Sequence, residues 1–189
     1  MVLVSSLLLL VVVTLMALSI FRSFGVQEKI AGNTREKQRA LQAALSAQQY
    51  AEQWIINSSN APIAVSQGLA PSAAISCSTG APSSGNSAGE ICNNSLASLG
   101  INVTTNVPWG AGVGFTPPGL NVTTATNTSS SDVYYAQPTF YITDLGPMAS
   151  ANGEVYKVDA YSFGTSPNTV AVVESTFAVT CVVCNPGAI

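Results

Sequence analysis

The stretch that decides the fold is MVLVSSLLLLVVVTLMALSIF, residues 1–21, which contains no charged group and lies at the very start of the chain. About 20 apolar residues are enough for a helix to cross a bilayer. A helix that is apolar on every side needs lipid or other helices around it. No basic residue precedes the apolar run, unlike in a signal peptide. The sequence therefore predicts a hydrophobic transmembrane helix over residues 1–24.

Charge is scarce in this chain and unevenly placed. Charged residues make up 8% of the 189 residues, against about 25% in an ordinary globular protein. Five of the six basic residues precede residue 40, and from residue 53 onward one lysine accompanies six acids, a net charge of −5. An acidic domain with so few basic groups is a poor match for nucleic acid, so we expect no direct nucleic acid binding.

The chain contains no histidine. This excludes the Ser-His-Asp and Cys-His arrangements of nucleophilic catalysis and removes the commonest metal ligand. Charged groups that could serve as acids or bases in place of histidine are few. We therefore predict a protein that is not an enzyme and that has no cofactor and no metal site.

Residues 25–56 are predicted to continue the helix. From Arg35 to Ile56 there is no Gly or Pro, and strong helix formers dominate. An apolar stripe at spacings of three and four predicts the face that contacts the rest of the protein. Its members are Leu41, Ala44, Leu45, Gln48, Ala51 and Ile55, while Arg39, Gln42, Gln49 and Gln53 are directed elsewhere. A continuous helix of this length spans roughly 80 Å, so its first half is expected to protrude from the domain.

The remaining sequence divides into a loop-rich part and a strand-rich part. Residues 57–132 are rich in Ser, Thr, Asn, Gly and Pro, which predicts a variable insert made of loops. Within residues 133–180, three runs rich in β-branched and aromatic residues are separated by turn sequences. The runs are VYYAQPTFYITDL, EVYKVDAYSF and TVAVVESTFAVT. Residues 181–189 form a C-terminal tail that contains a Cys-x-x-Cys sequence.

These runs predict a three- to four-stranded antiparallel sheet over residues 133–180, because short connections join successive antiparallel strands. Alternation in the second run predicts a strand with one face buried and the other in solvent. The apolar face of the sheet needs a cover, and the helix is the available amphipathic element. The predicted fold class is therefore α+β, with a long protruding helix over about residues 1–56 that packs on the sheet through its C-terminal half.

Four cysteines remain, at Cys77, Cys92, Cys181 and Cys184. An even number behind an export-type apolar segment predicts two disulfides in an oxidising compartment. We favour Cys77–Cys92, which closes a 16-residue loop, together with Cys181–Cys184. A crossed arrangement that joins the insert to the last strand remains open. Cys77 and Cys92 are too far apart in sequence to form the second Cys-x-x-Cys pair of a zinc site. The Cys181–Cys184 sequence does not lie at the start of a predicted helix, where a redox motif would be expected.

Five Asn-x-Ser/Thr triplets are possible glycosylation sites. They begin at Asn57, Asn93, Asn102, Asn121 and Asn127. A chain so rich in Ser, Thr and Asn produces several such triplets by chance, so the motif alone indicates little.

The segment VVTLMALSIFRSFGVQEKIAGNTREKQRALQAALSAQQYAE, residues 12–52, resembles the N-terminal region of PilX-type type IV pilins. Its motifs are the Arg22-Ser23 pair, QEKIAGN at 27–33 and ALQAA at 40–44. The later sequences QPTFYITDLG and NTVAVVESTF are similar to the closing strands of the family. The resemblance covers about residues 1–56 and 137–178.

The resemblance implies a structural subunit of a type IV pilus. A leader is cut by prepilin peptidase, and Met1 becomes the mature, N-methylated first residue. The helix lies in the inner membrane as a single pass and then packs against other pilin subunits in an extracellular filament that supports adhesion, aggregation or motility, with the pilus assembly machinery as further partner. The implied filament-core residues are Met1, Val2, Leu3, Val4, Ser5, Leu7, Leu8, Leu10, Val13, Leu15 and Ile20.

The chain departs from the family pattern at Ser5, where most pilins carry a glutamate that neutralises the N-terminal amine of a neighbour. Serine can hydrogen-bond the amine or its own helix, but it cannot neutralise a charge. The departure leaves two roles open, a shaft subunit and a minor subunit at the tip. A pseudopilin of a type II secretion system and a tip adhesin that binds through residues 57–132 are the alternative functions.

Overall fold

The computed structural model of the chain describes residues 2–57, 74–78, 91–119, 121–122, 133–148 and 153–180. One helix, α1, runs over Val2–Asn57, and a short 3-10 helix runs over Leu96–Leu99. The strands are β1 (Ala74–Ile75), β2 (Ile91–Cys92), β3 (Val113–Gly114), β4 (Asn121–Val122), β5 (Val133–Tyr134), β6 (Thr139–Pro147), β7 (Gly153–Phe163) and β8 (Val170–Thr180). The chain divides into two compact units, Met1–Gln38 and Arg39–Ile189.

The predicted α+β class and the long helix are confirmed. No proline occurs before residue 62, so nothing in α1 removes a backbone donor or blocks a helical turn. Gly25 and Gly32 lie within the helix, and among the described residues nothing apart from the helix's own backbone lies within 4 Å of a Cβ added at either position. The helix ends at Asn57, where the sequence changes to Ser, Asn, Ala and Pro.

The main sheet has the strand order β1-β2-β6-β7-β8, with β3 paired to β6. Its three long strands, β6, β7 and β8, form the predicted antiparallel meander. The sheet is larger than predicted and mixed, because β1 and β2 add to β6 in parallel. A separate two-stranded sheet joins β4 and β5. The insert thus contributes short strands to the edge of the sheet in addition to loops.

Alanines form most of the helix surface that the second unit buries. The buried side chains of α1 are Ala40, Ala43, Ala44, Ala47, Ala51 and Ile55. Of these, Ala47, Ala51 and Ile55 meet large side chains from the sheet, among them Phe140, Ile142 and Tyr156. Small residues on one surface allow large ones on the other to fill the space between them at the density of a protein interior.

The predicted stripe on this helix is half wrong. Ala44, Ala51 and Ile55 are buried as expected, but Leu41 is 41% exposed and Leu45 is 38% exposed. The helix is rotated so that alanines, which leave room for the aromatic residues of the sheet, take the buried positions. Gln48 is partly buried, and its Nε2 donates to Oε1 of Glu52 at 3.0 Å.

The face of the sheet opposite α1 is covered in part, so the expectation that β7 has a solvent face is wrong at Asp159 and Tyr161, which are buried, whereas Lys157 is partly exposed. A second cluster on the face opposite α1 contains Cys77, Cys92, Leu96, Ile101, Trp109, Ala111, Tyr141, Tyr161 and Phe163. Residues 91–111 therefore act as a covering layer for the sheet. This layer crosses β6 closely at Gly112, where φ is 124° and an added Cβ would lie 3.0 Å from the Phe140 carbonyl oxygen.

The favoured disulfide Cys77–Cys92 is present, with its Cα atoms 5.5 Å apart, which excludes a crossed arrangement for these two cysteines. The side chain of Asn94 reinforces the closure. Its Oδ1 accepts from Cys77 N at 2.9 Å, and its Nδ2 donates to Cys77 O at 2.8 Å. The backbone oxygen of Asn94 also accepts from the Tyr141 hydroxyl at 2.8 Å. Cys181 and Cys184 lie outside the described residues.

The variant in which Cys77 and Cys92 are both serine should unfold more easily. Opening a loop of this length costs about 3 kcal/mol, or roughly 6–12 °C in melting temperature for a domain of this size. Circular dichroism melts of the full chain in detergent micelles measure the change. The variant Cys181→Ser with Cys184→Ser is the control, and an unchanged melting temperature for the first variant would contradict the prediction.

The orientation of the helix gives a second prediction. Ala47→Leu should lower the free energy of unfolding by about 1–3 kcal/mol, because it overfills a packed contact with the sheet. Leu45→Gln, two residues earlier, should change the same free energy by less than about 1 kcal/mol. Chemical denaturation in micelles compares the two. The reverse order of effects would mean that the helix packs through its leucines.

Candidate functional site: the apolar surface of α1

The first 20 residues of α1 expose apolar side chains on every side of the helix. The large hydrophobic residues from Val2 to Phe21 are between 43% and 83% exposed. Exposed apolar patches beyond a few hundred Å² mark contacts with membranes or other proteins. This surface contains every filament-core residue of the sequence prediction except Met1, which lies outside the described residues.

Three hydroxyl groups on this surface bond to their own helix. Ser5 Oγ donates to the Val2 carbonyl at 2.9 Å, and Ser6 Oγ donates to the Leu3 carbonyl at 3.0 Å. Thr14 Oγ1 donates to the Val11 carbonyl in the same way at 2.8 Å. Each hydroxyl hydrogen is therefore satisfied without water, so these residues can enter an apolar environment at low cost.

The length and composition of α1 are sufficient to cross a membrane. Its most apolar window of 18 residues has a mean hydropathy of 2.7, and none of that window is buried within the protein. A water-soluble helix of the same composition would be a buried core element. The surface is therefore suited to lipid, to other helices, or to both in turn.

A helix with an apolar, exposed first part and a last part packed on an antiparallel meander fits the class of type IV pilin subunits. Residues 1–47, about a quarter of the chain, match the family model described as PilX N-terminal. The match supports a PilX-type type IV pilin, as the resemblance of the sequence implies. Neither a curated protein nor a solved structure matches the chain.

The five Asn-x-Ser/Thr triplets remain a prediction. Asn93 and Asn102 are exposed in the covering layer. Asn102 already has a structural role, because its Oδ1 accepts from the backbone N–H groups of Thr104 and Thr105 at 3.0 and 3.2 Å. The side chains of Asn57 and Asn121, and all of Asn127, lie outside the described residues.

A buried charge on the face of the sheet opposite α1 was not predicted from the sequence. Asp159 is fully buried. Lys157 Nζ lies 3.3 Å from Asp159 Oδ2 and 2.9 Å from Glu174 Oε2. Burial raises the pKa of Asp159 to about 6, although Lys157 acts in the opposite direction. The sequence feature that could have indicated this pair is the Lys-x-Asp spacing on β7, because it places both side chains on one face of the sheet.

A second carboxyl pair lies at the far end of β6 and β7. Glu154 is 4% exposed, and burial, followed by the neighbouring charge of Asp144, raises the pKa of Glu154. Asp144 is held by the Gly146 N–H, which donates to its Oδ1 at 2.8 Å. Gly146 lies in the bulge of β6 at a φ of 93°. Within the described residues, no group of His, Cys, Asp and Glu could hold a metal ion.

These shifts predict that the domain becomes less stable as pH rises from 5 to 7. A carboxyl group whose pKa is raised by folding stabilises the fold below its unfolded pKa, and this contribution is lost as pH rises through the folded value. For Asp159 the loss runs from about pH 4 to about pH 6 and should be on the order of 1–2 kcal/mol after screening by solvent. Glu154 acts with the same sign.

Thermal melts at pH 5 and pH 7 measure this effect. Asp159→Asn should raise the melting temperature at pH 7 and reduce the difference between the two pH values. Adding Glu154→Gln should reduce the difference further. A wild-type protein that melts at a higher temperature at pH 7 than at pH 5 would show that burial does not control these carboxyl groups.

Proposed function

We propose that this protein is a structural subunit of an extracellular type IV pilus and that it polymerises through the apolar surface of α1. The observation that carries the proposal is that every large hydrophobic side chain from Val2 to Phe21 is exposed, by 43% to 83%. Burying it against other helices removes apolar area from water at about 25 cal/mol per Å². Lipid covers this surface while the subunit is in the membrane, and other helices cover it in the filament.

The life cycle follows the resemblance to pilins. The helix is a single pass in the inner membrane, prepilin peptidase removes a leader, and Met1 becomes the N-methylated first residue. The pilus assembly machinery then transfers the subunit to the filament, where other pilin subunits are its partners. The filament would support adhesion, aggregation or motility. A plain membrane anchor explains residues 1–24 but not the match over residues 1–47.

The hydroxyl of Ser5 bears on the choice between a shaft and a tip subunit. It donates to its own helix, which leaves its oxygen lone pairs as the groups that can accept a hydrogen bond from a neighbouring amine. Such a contact does not neutralise the positive charge, and burial of an uncompensated charge is costly. A minor subunit near the tip, with few neighbours to satisfy, therefore fits this chain better than a shaft subunit.

The tip-adhesin alternative needs a narrower surface than the whole insert. Residues 91–111 cover one face of the sheet and carry Cys92 of the disulfide, so removing them would expose the core. An adhesive role would fall to exposed positions such as Asn102–Asn106 or to parts of residues 57–132 outside this layer. Substituting exposed loop residues tests adhesion without removing the cover.

Two matched variants test polymerisation and the role of position 5. Filaments sheared from cells that express the full chain should contain the wild-type subunit. Ser5→Glu should retain its share in the filaments, because a carboxylate there can pair with a neighbouring amine. Ser6→Glu should lower that share several-fold, because the same charge one residue later has no such partner and is costly to bury.

Quantitative mass spectrometry of the sheared and membrane fractions gives the result. The molar ratio of this protein to the main filament protein in the sheared filaments also distinguishes a minor subunit from a shaft subunit. A chain found only in the membrane fraction would rule out polymerisation. Equal losses for Ser5→Glu and Ser6→Glu would show that position 5 does not face a neighbouring amine.

A further inference from the structure

Asp144 on β6 and Glu154 on β7 form an acidic pair near the turn between these two strands. Asp144 lies opposite Tyr156 in the register, and Glu154 lies two residues before Tyr156 on the same strand. Side chains alternate along a strand, so both carboxyl groups lie on the face of the sheet that carries Tyr156. The two carboxyl groups are within hydrogen-bonding reach of each other.

The hydrogen bonding of this acidic pair is incomplete. Glu154 is 4% exposed, and within the described residues its Oε1 has no hydrogen-bond partner. Asp144 is half-buried and accepts from the Gly146 N–H at 2.8 Å. Buried polar groups normally have a partner, and two neighbouring carboxylates repel each other when both are ionised. The pair therefore lacks a group that is positively charged and donates hydrogen bonds.

The second unit, Arg39–Ile189, has no basic residue available to the acidic pair. Its two basic residues are Arg39 and Lys157. The guanidinium of Arg39 lies over the ring of Tyr134, 5.1 Å from its centre. Lys157 is bonded to Glu174, and alternation along β7 places it on the other face of the sheet. The segments after residue 57 that lie outside the described residues contain no lysine, arginine or histidine, so they cannot supply the cation either.

The first unit, Met1–Gln38, carries exposed cations. Lys29, Arg35 and Lys37, here called the basic segment, are exposed on α1, and within the described residues none of them forms an ion pair. The first unit has four basic and two acidic residues, a net charge of +2, whereas the second has two basic and seven acidic residues, a net charge of −5. The two units are therefore complementary in charge, which favours contact between unlike surfaces.

We propose that the acidic pair of Asp144 and Glu154 binds the basic segment of α1 from a second copy of this chain. A lysine or arginine head group donates charge-assisted hydrogen bonds to the half-buried carboxylate of Asp144. The same positive charge compensates Glu154, which lies beside Asp144 and is buried. The partner is a second copy because the uncompensated acids and the unpaired cations belong to different units of one sequence.

This contact joins two different surfaces, so it is heterologous and can repeat from one copy to the next. Copies whose α1 helices lie side by side at the same depth bring their basic segments together, and like charges repel. A displacement along the helix axis removes this repulsion and brings the basic segment beside the neighbour's second unit, into which α1 continues. The contact requires only two neighbouring copies. It adds to the polymerisation through residues 2–21, and its failure would leave that proposal untouched.

Carbodiimide cross-linking tests the contact, because it joins a lysine Nζ to a carboxyl group only where the two groups touch. Light and isotopically heavy forms of the full chain are mixed in nonionic detergent micelles, reacted at low ionic strength and digested for mass spectrometry. We expect mixed-isotope peptides that join Lys29 or Lys37 to Asp144. The Lys157–Glu174 pair, at 2.9 Å within one copy, is the internal control and should give only unmixed peptides.

Substitutions on both sides of the contact give a second measurement. Asp144→Asn keeps an acceptor for the Gly146 N–H but removes the charge, so it should abolish the mixed-isotope peptides. It should also weaken the association of the full chain roughly fivefold in sedimentation equilibrium. Lys29→Glu with Lys37→Glu, on the exposed part of the helix, should weaken association at least as much. Lys29→Arg with Lys37→Arg preserves the charge and is the matched control, which should leave association unchanged.

Three results would overturn the proposal. The first is a reaction in which the Lys157–Glu174 peptide forms but no mixed-isotope peptide contains Asp144. The second is a set of mixed-isotope peptides that join Lys29 or Lys37 to other acidic residues, which would locate the contact elsewhere. The third is an association that neither Asp144→Asn nor the two glutamate substitutions weaken. The share of the subunit in sheared filaments is measured separately and tests the proposed function alone.

Discussion

The contact between the alanines of α1 and the large side chains of the sheet is the interaction on which the rest of the domain depends. Ala47 and Ala51 have no side-chain bulk, so Phe140 and Tyr156 can approach the helix backbone closely. Burial of alanine alone contributes little apolar area, and the energy of the contact comes mainly from the aromatic and β-branched residues. This surface of the helix is therefore only modestly hydrophobic, although its alanines are almost fully buried.

That contact explains which features the sequence could predict. The absence of Pro and the strong helix formers define α1 without reference to the rest of the chain. The β-branched and aromatic runs likewise define β6, β7 and β8. The rotation of the helix was not predictable in this way, because hydrophobicity favours Leu41 and Leu45 as buried residues while the shape of the sheet favours alanine. Complementarity between two surfaces is not encoded in the periodicity of either one.

The covering layer shows the same limit for the sheet. Alternation along β7 correctly separates Tyr156 and Val158 from Lys157 and Asp159, but it cannot say what covers the second face. The cover comes from residues 91–111, whose composition resembles that of an exposed loop and whose position is fixed by the disulfide and by Asn94. The carboxyl of Asp159 lies on this same face of the sheet, where burial raises its pKa.

The distribution of charge limits how such a protein can bind its own copies. Lys157 is the only basic residue after residue 39, and it is held between Asp159 and Glu174. The acidic part of the chain therefore has no basic group available to attract a second copy, and its net negative charge opposes association at low ionic strength. Attraction to a second copy must then come from uncharged groups or from the five basic residues that precede residue 40. The apolar surface of α1 over residues 2–21 carries no charge. A contact through this surface should persist at salt concentrations that screen exposed charges, because it does not depend on an ion pair.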